Sequence, residues 1–200
     1  MGGTQVMNAV VIVAGYLIGS IPFALILARR WGSDLRVVGS GNLGAANVMR
    51  ASGVKAGVLV ALLDMAKGAA SVWLAARISP SPDLPAAAGL AAIFGHIYPI
   101  WLRFRGGKGV ATACGVFTML APLSVPFALT IFTAVVWVTR YVSLGSVVAS
   151  VALPPIAYAL GSPAPVVIAA SAAAAIIVFR HRSNVARLWT GTERRVGARV

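Results

Sequence analysis

The chain has 200 residues, 59% of them hydrophobic and only 10% charged, with seventeen Lys and Arg against four acids. Four acids cannot furnish the mixed charged surface that a water-soluble domain needs, so the composition excludes an ordinary globular protein. It implies instead an all-α polytopic membrane protein forming one compact domain over residues 1–200. The net charge of +13 reads as the basic bias of cytoplasmic loops rather than as a nucleic-acid footprint.

Apolar runs recur along the whole length: Val6–Ala28, Val54–Ile78, Leu84–Leu102, Val110–Val138, Leu144–Leu160 and Ala164–Phe179. A helix crossing a bilayer core needs about 20 apolar residues, and most of these runs reach that length. The first run has no basic residues before it, so it reads as a retained span rather than a cleaved signal peptide. Pro22, within GSIPF, is expected to kink it. Arg29, Arg30, Arg36, Arg50 and Lys55 cluster after this span. Arg103, Arg105 and Lys108 follow the third run, and Arg180 to Arg199 form a basic tail. Basic loops mark the cytoplasmic side, so the N-terminus is expected outside and the C-terminus inside. Trp31, Trp101 and Trp189 fit an aromatic belt at the cytoplasmic interface.

Parity constrains the span count. Lys108 and Arg182 both belong inside, so an even number of crossings must separate them. Splitting Val110–Val138 into a hairpin at Ala121–Pro122 satisfies this and makes seven spans, although 29 residues are short for two crossings of about 20 each. The rival is five crossings with one late segment re-entrant. Cys114 stands alone, so no disulfide or cysteine-based metal site can form within one chain. No internal repeat is evident, which counts against a transporter built on inverted repeats.

Three polar islands interrupt the apolar pattern. The first is Val38–Arg50, VGSGNLGAANVMR. Its glycines permit close backbone approach. Ser40, Asn42 and Asn47 bring hydroxyl and amide groups, and Arg50 offers a forked guanidinium suited to phosphate. Ser40 or Asn42 could instead cap a helix through Ala45–Met49. The second island is FGHIYPIWLRFRGGKGVAT, Phe94–Thr112. Gly106, Gly107 and Gly109 surround Lys108, with Thr112 close to the next helix start, and such a loop makes an anion seat. It is no Walker A loop: Leu102 and Gly109 stand where that motif wants Gly and Ser or Thr. His96 lies in the apolar segment before the loop, where an ionisable group usually faces a polar cavity and can serve as base or hydrogen-bond donor. The third island is His181–Glu193, HRSNVARLWTGTE, in which Asn184 and Arg187 would share a helix face. Glu193, the sole glutamate, is expected to pair with an arginine and position it. Asp64 and Lys67, at i, i+3 in the second run, can neutralise one another.

These islands, with YLIGSIPFALILAR at Tyr16–Arg29 and LLDMAKG around Asp64, occur in the order seen in the bacterial acyl-phosphate:glycerol-3-phosphate acyltransferases, the PlsY family, which the chain resembles over essentially its whole length. One departure is Ala46, where the family usually carries Thr. The resemblance implies a seven-helix enzyme of the bacterial inner membrane with its active site at the cytoplasmic face. It would transfer a fatty acyl group from acyl phosphate to the sn-1 hydroxyl of glycerol 3-phosphate, giving lysophosphatidic acid and inorganic phosphate. No coenzyme A, metal or other cofactor is implied, nor any nucleic-acid partner. A functional link to the enzyme that makes acyl phosphate is. The HxxxxD motif of other glycerolipid acyltransferases is absent, since Trp101 and Ala186 stand five residues after His96 and His181. By the family's motifs, glycerol 3-phosphate would lie among Ser40, Arg50, Lys108, His181 and Asn184. Acyl phosphate would lie at Gly106, Gly107, Lys108, Gly109 and Thr112, with loop N–H groups open to a developing oxyanion. His96, Ser40 and Lys108 would take part in catalysis, the general base being His96 or the donor's phosphate. Asn42, Asn47, Asp64, Lys67, Arg187 and Glu193 would support them.

Overall fold

The computed structural model describes residues 2–31, 34–37 and 41–197. Ser40 therefore lies outside the described residues, as do Val38, Gly39 and Arg199. The chain forms two compact units, Met1–Leu120 and Ala121–Val200. Among the described residues, the regular structure is helical throughout.

In the first unit, α1 (Gly2–Gly19) and α2 (Phe23–Arg30) are one apolar segment broken at Ser20–Pro22. Pro22 has no N–H to continue the ladder, and its carbonyl instead accepts the N–H groups of Leu25 and Ile26 in the first turn of α2. The short α3 (Ala45–Ser52) leads through Gly53 into α4 (Val54–Ile78). Gly44 occupies the cap position of α3 without a side-chain cap, so Asn42 is not its cap. After α5 (Asp83–Ile97) come a 3-10 turn at Ile100–Leu102, the glycine-rich loop and α6 (Val110–Leu120).

The longer helices α1, α4, α5 and α6 are apolar on nearly every side, so hydrophobicity alone does not choose the face that packs. Size does. With lipid tails as apolar as leucine, helices associate where small residues let backbones approach. Buried Val11, Gly15 and Gly19 form a stripe on α1 at intervals of four. A Cβ on Gly15 would lie 2.7 Å from the Ala88 carbonyl oxygen, and one on Gly19 would lie 2.1 Å from that of Ala92, so α1 rides directly on the α5 backbone. The α4–α6 crossing is tighter still: a Cβ on Gly115 would stand 1.9 Å from the Met65 carbonyl oxygen, and one on Gly68 2.3 Å from that of Thr112. Val10, Val13, Leu17, Leu62 and Trp73 are left exposed on outward faces, as lipid-facing residues must be.

The second unit comprises α7 (Ser124–Thr139), α8 (Val142–Ala159), α9 (Ala164–Arg180) and α10 (Arg182–Trp189). Helix α8 packs on both α7 and α9. Gly145 admits the α7 backbone, since its Cβ would lie 3.0 Å from the Phe132 carbonyl oxygen.

Among the described residues, four segments are long and apolar enough to cross a membrane: Gly2–Arg30, Val54–Ile78, Asp83–Leu102 and Val142–Ala159. The pair α9–α10, bent by 55° at His181, is either a fifth, broken span or a re-entrant segment. The expected split of Val110–Val138 coincides with the break between Leu120 and Ser124. The resulting helices of 11 and 16 residues span only about 16 and 24 Å at 1.5 Å per residue, against a core of about 30 Å.

Candidate active site

Three buried ionisable side chains of the first unit, Asp64, Lys67 and His96, meet. Asp64 and Lys67 project from the same face of α4, with Lys67 Nζ 2.8 Å from Asp64 Oδ1 and 3% of each side chain exposed. The pairing expected from their spacing is thus present. Its third member, however, comes from α5: His96 Nδ1 lies 3.5 Å from the same Asp64 oxygen. Lys67 also donates to the Ile21 carbonyl at 2.9 Å, one of the backbone acceptors released where α1 breaks. Its ammonium stands 5.9 Å from the centre of the Phe23 ring. A helix break, a buried ion pair and the end of α5 therefore satisfy one another, as polar groups in a membrane must. They border a small pocket, about 250 Å³ of space including what opens to solvent, that Pro22, Leu43, Gly106 and Gly107 also line. Tyr16 closes α1 onto this end of α5 by donating its hydroxyl to the Tyr98 carbonyl at 2.9 Å.

The glycine loop is folded back onto the same place. Arg103 and Phe104 adopt left-handed conformations, which turn the chain so that Gly106 N–H donates to the Ile97 carbonyl and Gly107 N–H to that of His96, at 3.0 and 3.1 Å. This corrects one expectation: these two N–H groups hold the loop to α5 and are not open to an oxyanion. The glycines are needed for contact. A Cβ on Gly106 would lie 2.2 Å from the His96 carbonyl oxygen, and one on Gly107 2.1 Å from His96 Nε2. Gly109 turns with φ of 88° into the first residue of α6. Lys108 is half-buried between them. Thr112 is fully buried against Gly68 of α4, and its Oγ1 has no hydrogen-bond partner among the described residues.

In the first island, Asn47 is buried on α3 and donates its amide to the Leu35 carbonyl at 3.1 Å, tying the helix to the segment before it. Arg50 sits half-buried one turn further on, and Asn42 half-buried before the helix.

The third island organises the second unit. Glu193 accepts hydrogen bonds from Ser143 of α8, Asn184 of α10 and Arg187 Nε of α10, each at 2.7 Å. The expected arginine pair is present, while the two neutral donors were not anticipated. Burial pushes the Glu193 carboxyl up, but the hydrogen bonds from Asn184, Ser143 and Arg187 and the charge of Arg187 outweigh it and hold the group below its ordinary value. His181, buried at the bend, has Nδ1 2.8 Å from the Ile177 carbonyl oxygen. A carbonyl only accepts, so Nδ1 carries the proton and the ring orientation is set.

In the first unit, then, His96, Gly106, Gly107, Asp64 and Lys67 come together. In the second, Asn184, Arg187 and Glu193 do. The link missed from sequence is that of Asp64 to His96, 32 residues apart. The signal was there: buried ionisable groups seek each other, and the chain offers three such candidates in its spans. Among the described residues, no group of three or more His, Cys, Asp or Glu could hold a metal ion.

Apolar helices of membrane length, packed through glycines and pairing their buried charges with one another, define an all-α polytopic integral membrane protein. The family model for glycerol-3-phosphate acyltransferase matches residues 9–191, and the chain belongs to that family of transferases, the PlsY family. A glycerol-3-phosphate acyltransferase of Geobacter sulfurreducens is 45% identical over 193 residues, covering 96% of this chain and 100% of its own. Another, of Roseobacter denitrificans, is 49% identical over 187 residues and 92% of each chain. The chain is similar to the crystal structure of PlsY (YgiH), an integral membrane glycerol 3-phosphate acyltransferase, in its glycerol 3-phosphate form. The TM-score is 0.91 with 40% identity over 96% of both chains. The lysophosphatidic acid form of the same protein gives 0.90 and 39%.

Proposed function

We propose that this chain transfers a fatty acyl group from acyl phosphate to the sn-1 hydroxyl of glycerol 3-phosphate, releasing lysophosphatidic acid and inorganic phosphate, the first acylation of phospholipid synthesis. The observation that carries this reading is the likeness, over 96% of each chain, to a structure in both glycerol 3-phosphate and lysophosphatidic acid forms. Those two molecules are an acceptor and its acylated product. The chain's own cations suit two phosphorylated reactants. Glycerol 3-phosphate is assigned to Ser40, Arg50, Lys108, His181 and Asn184. The acyl phosphate group is assigned to Lys108, Gly109 and the start of α6, where a helix N-terminus favours an anion.

In the reaction the acceptor oxygen attacks the acyl carbon, an ester C–O bond forms, and the bond from acyl carbon to phosphate oxygen breaks. The hydroxyl proton goes to the departing phosphate. This choice of base is favoured by the placement of His96, whose two ring nitrogens face Asp64 and Gly107, whereas a base must reach the hydroxyl directly or through one water. The donor is already activated, so the enzyme's main contribution is alignment and charge. We further propose the seven-crossing arrangement in the inner membrane, with both units serving one acyltransferase and the Lys108 loop and basic tail cytoplasmic. The supply of donor links it to an enzyme making acyl phosphate.

The test uses purified protein with palmitoyl phosphate and glycerol 3-phosphate, chelator present and palmitoyl-CoA as alternative donor. Matched formation of phosphate and lysophosphatidic acid from acyl phosphate alone is expected. Neither product from folded protein, or product only from palmitoyl-CoA, would sink the reading.

A further inference from the structure

We propose that His96 and Asp64 are positioning residues for the glycine loop, acting through Gly107 on Lys108 and the start of α6, and that neither exchanges a proton with substrate. The argument begins at α4. Lys67 is fixed at its far end by the Ile21 carbonyl, 2.9 Å away, and fixes Asp64 Oδ1 at 2.8 Å. That oxygen faces His96 Nδ1 at 3.5 Å, which is long for a hydrogen bond but short for an electrostatic contact in a site this buried. It sets which edge of the imidazole turns away from the loop.

The opposite edge meets the loop itself. His96 Nε2 would lie only 2.1 Å from a Cβ on Gly107, so the ring rests against the Gly107 backbone. Residue 96 also holds Gly107 from the main chain, its carbonyl accepting the Gly107 N–H at 3.1 Å, with Ile97 holding Gly106 in the same way. One residue thus grips the loop twice, by carbonyl and by ring. Lys108 follows directly, and α6 begins two residues later. Removing the imidazole takes away the wall behind Gly107 and lets the loop drop towards Asp64, moving both parts of the anion seat. A loop displaced in this way binds phosphate poorly but leaves the chemistry of the correctly bound fraction unchanged.

A base makes the opposite prediction. Losing one costs the chemical step about 10²–10⁴-fold without loosening the loop. His96→Ala is therefore compared with the wild-type chain in two assays. Backbone hydrogen exchange across residues 103–112 reads the loop directly and needs no turnover. Steady-state kinetics with acyl phosphate reads the consequence, and this arm rests on the functional reading above. We expect exchange at Gly106 and Gly107 about tenfold faster or more, a KM for glycerol 3-phosphate raised about tenfold or more, and kcat within roughly threefold. His96→Asn keeps a donor near the Nδ1 position but cannot act as a base. It should restore part of the KM, and it carries the test if the alanine variant does not fold. Unchanged loop exchange together with a kcat about a hundredfold lower and an unchanged KM, in either variant, would overturn the inference. A wild-type chain inactive with acyl phosphate, but loosened at the loop by His96→Ala, would defeat the functional reading and leave this inference standing.

Discussion

Asp64 and Lys67 allow the energetics of the membrane-buried polar site to be tested directly. The pair is 2.8 Å apart with 3% of each side chain exposed, so removing one partner leaves the other buried with little water to replace it. Breaking a buried pair from one side costs about 3–5 kcal/mol, whereas replacing both members by apolar residues is close to neutral. Asp64→Leu leaves an ammonium whose remaining neighbours are the Ile21 carbonyl and the Phe23 ring. Lys67→Met leaves a carboxylate facing only His96. Each single change should lower stability by about 3–5 kcal/mol, and the double change Asp64→Leu with Lys67→Met by about 1 kcal/mol, reflecting the lost hydrogen bond to Ile21. At roughly 2–4 °C per kcal/mol for a chain of this size, each single variant should melt about 6–20 °C lower. Thermal unfolding in one detergent, followed by tryptophan fluorescence, gives all four corners of the double-mutant cycle. Single variants shifted by less than about 2 °C, or a double variant that loses the sum of both, would refute the reasoning.

Gly115→Ala tests the helix crossing beside that pair. Its Cβ would start 1.9 Å from the Met65 carbonyl oxygen, and ordinary contact begins at 3.4 Å, so α4 and α6 must part by about 1.5 Å. A loss of about 1–3 kcal/mol or more is expected, read as a lowered melting temperature; wild-type melting would refute the crossing. Glu193 sets a pH dependence. Its carboxyl is held below an unperturbed value of 4.5, so the unfolded chain takes up a proton first on acidification. The stability it contributes is full above about pH 4.5 and is lost as pH falls through the lower folded value. Melting temperatures of the wild-type chain and Glu193→Gln should therefore converge below pH 4.5, and curves that stay parallel from pH 6 to 3 would count against the carboxylate network. Lys108→Ala should abolish acyl transfer while leaving the melting profile close to that of the wild type. Normal acylation kinetics in that variant would remove the loop from the phosphate site.

Much of the fold was legible in order along the chain. The break at Ser20–Pro22, the helix after Gly44 and the interruption near Pro122 follow from local backbone chemistry, because proline withholds an N–H and glycine permits turns. The in-span pair was legible for the same reason, since residues three apart on a helix share a face. The arginine partner of Glu193 was expected, but its neutral partners were not. Ser143 stands 50 residues away, and no local rule connects it to the tail.

Composition and motif order alone decided that this chain lives in a membrane, that it is helical, and where three polar islands interrupt its apolar runs. Those conclusions depend on sums and on spacings within single helices. The packing faces were hidden, because helices apolar on nearly every side give no periodic signal, and it is the small residues Gly15, Gly19, Gly68 and Gly115 that select them. The use of the loop was hidden as well. Glycines surrounding a lysine suggested N–H groups turned to an anion, yet Gly106 and Gly107 spend theirs on the end of α5. Only the tertiary structure could decide this, because a backbone N–H binds whichever acceptor the fold brings within hydrogen-bond reach, and the acceptors here lie nine and eleven residues back, across a turn that Arg103 and Phe104 make in left-handed conformations.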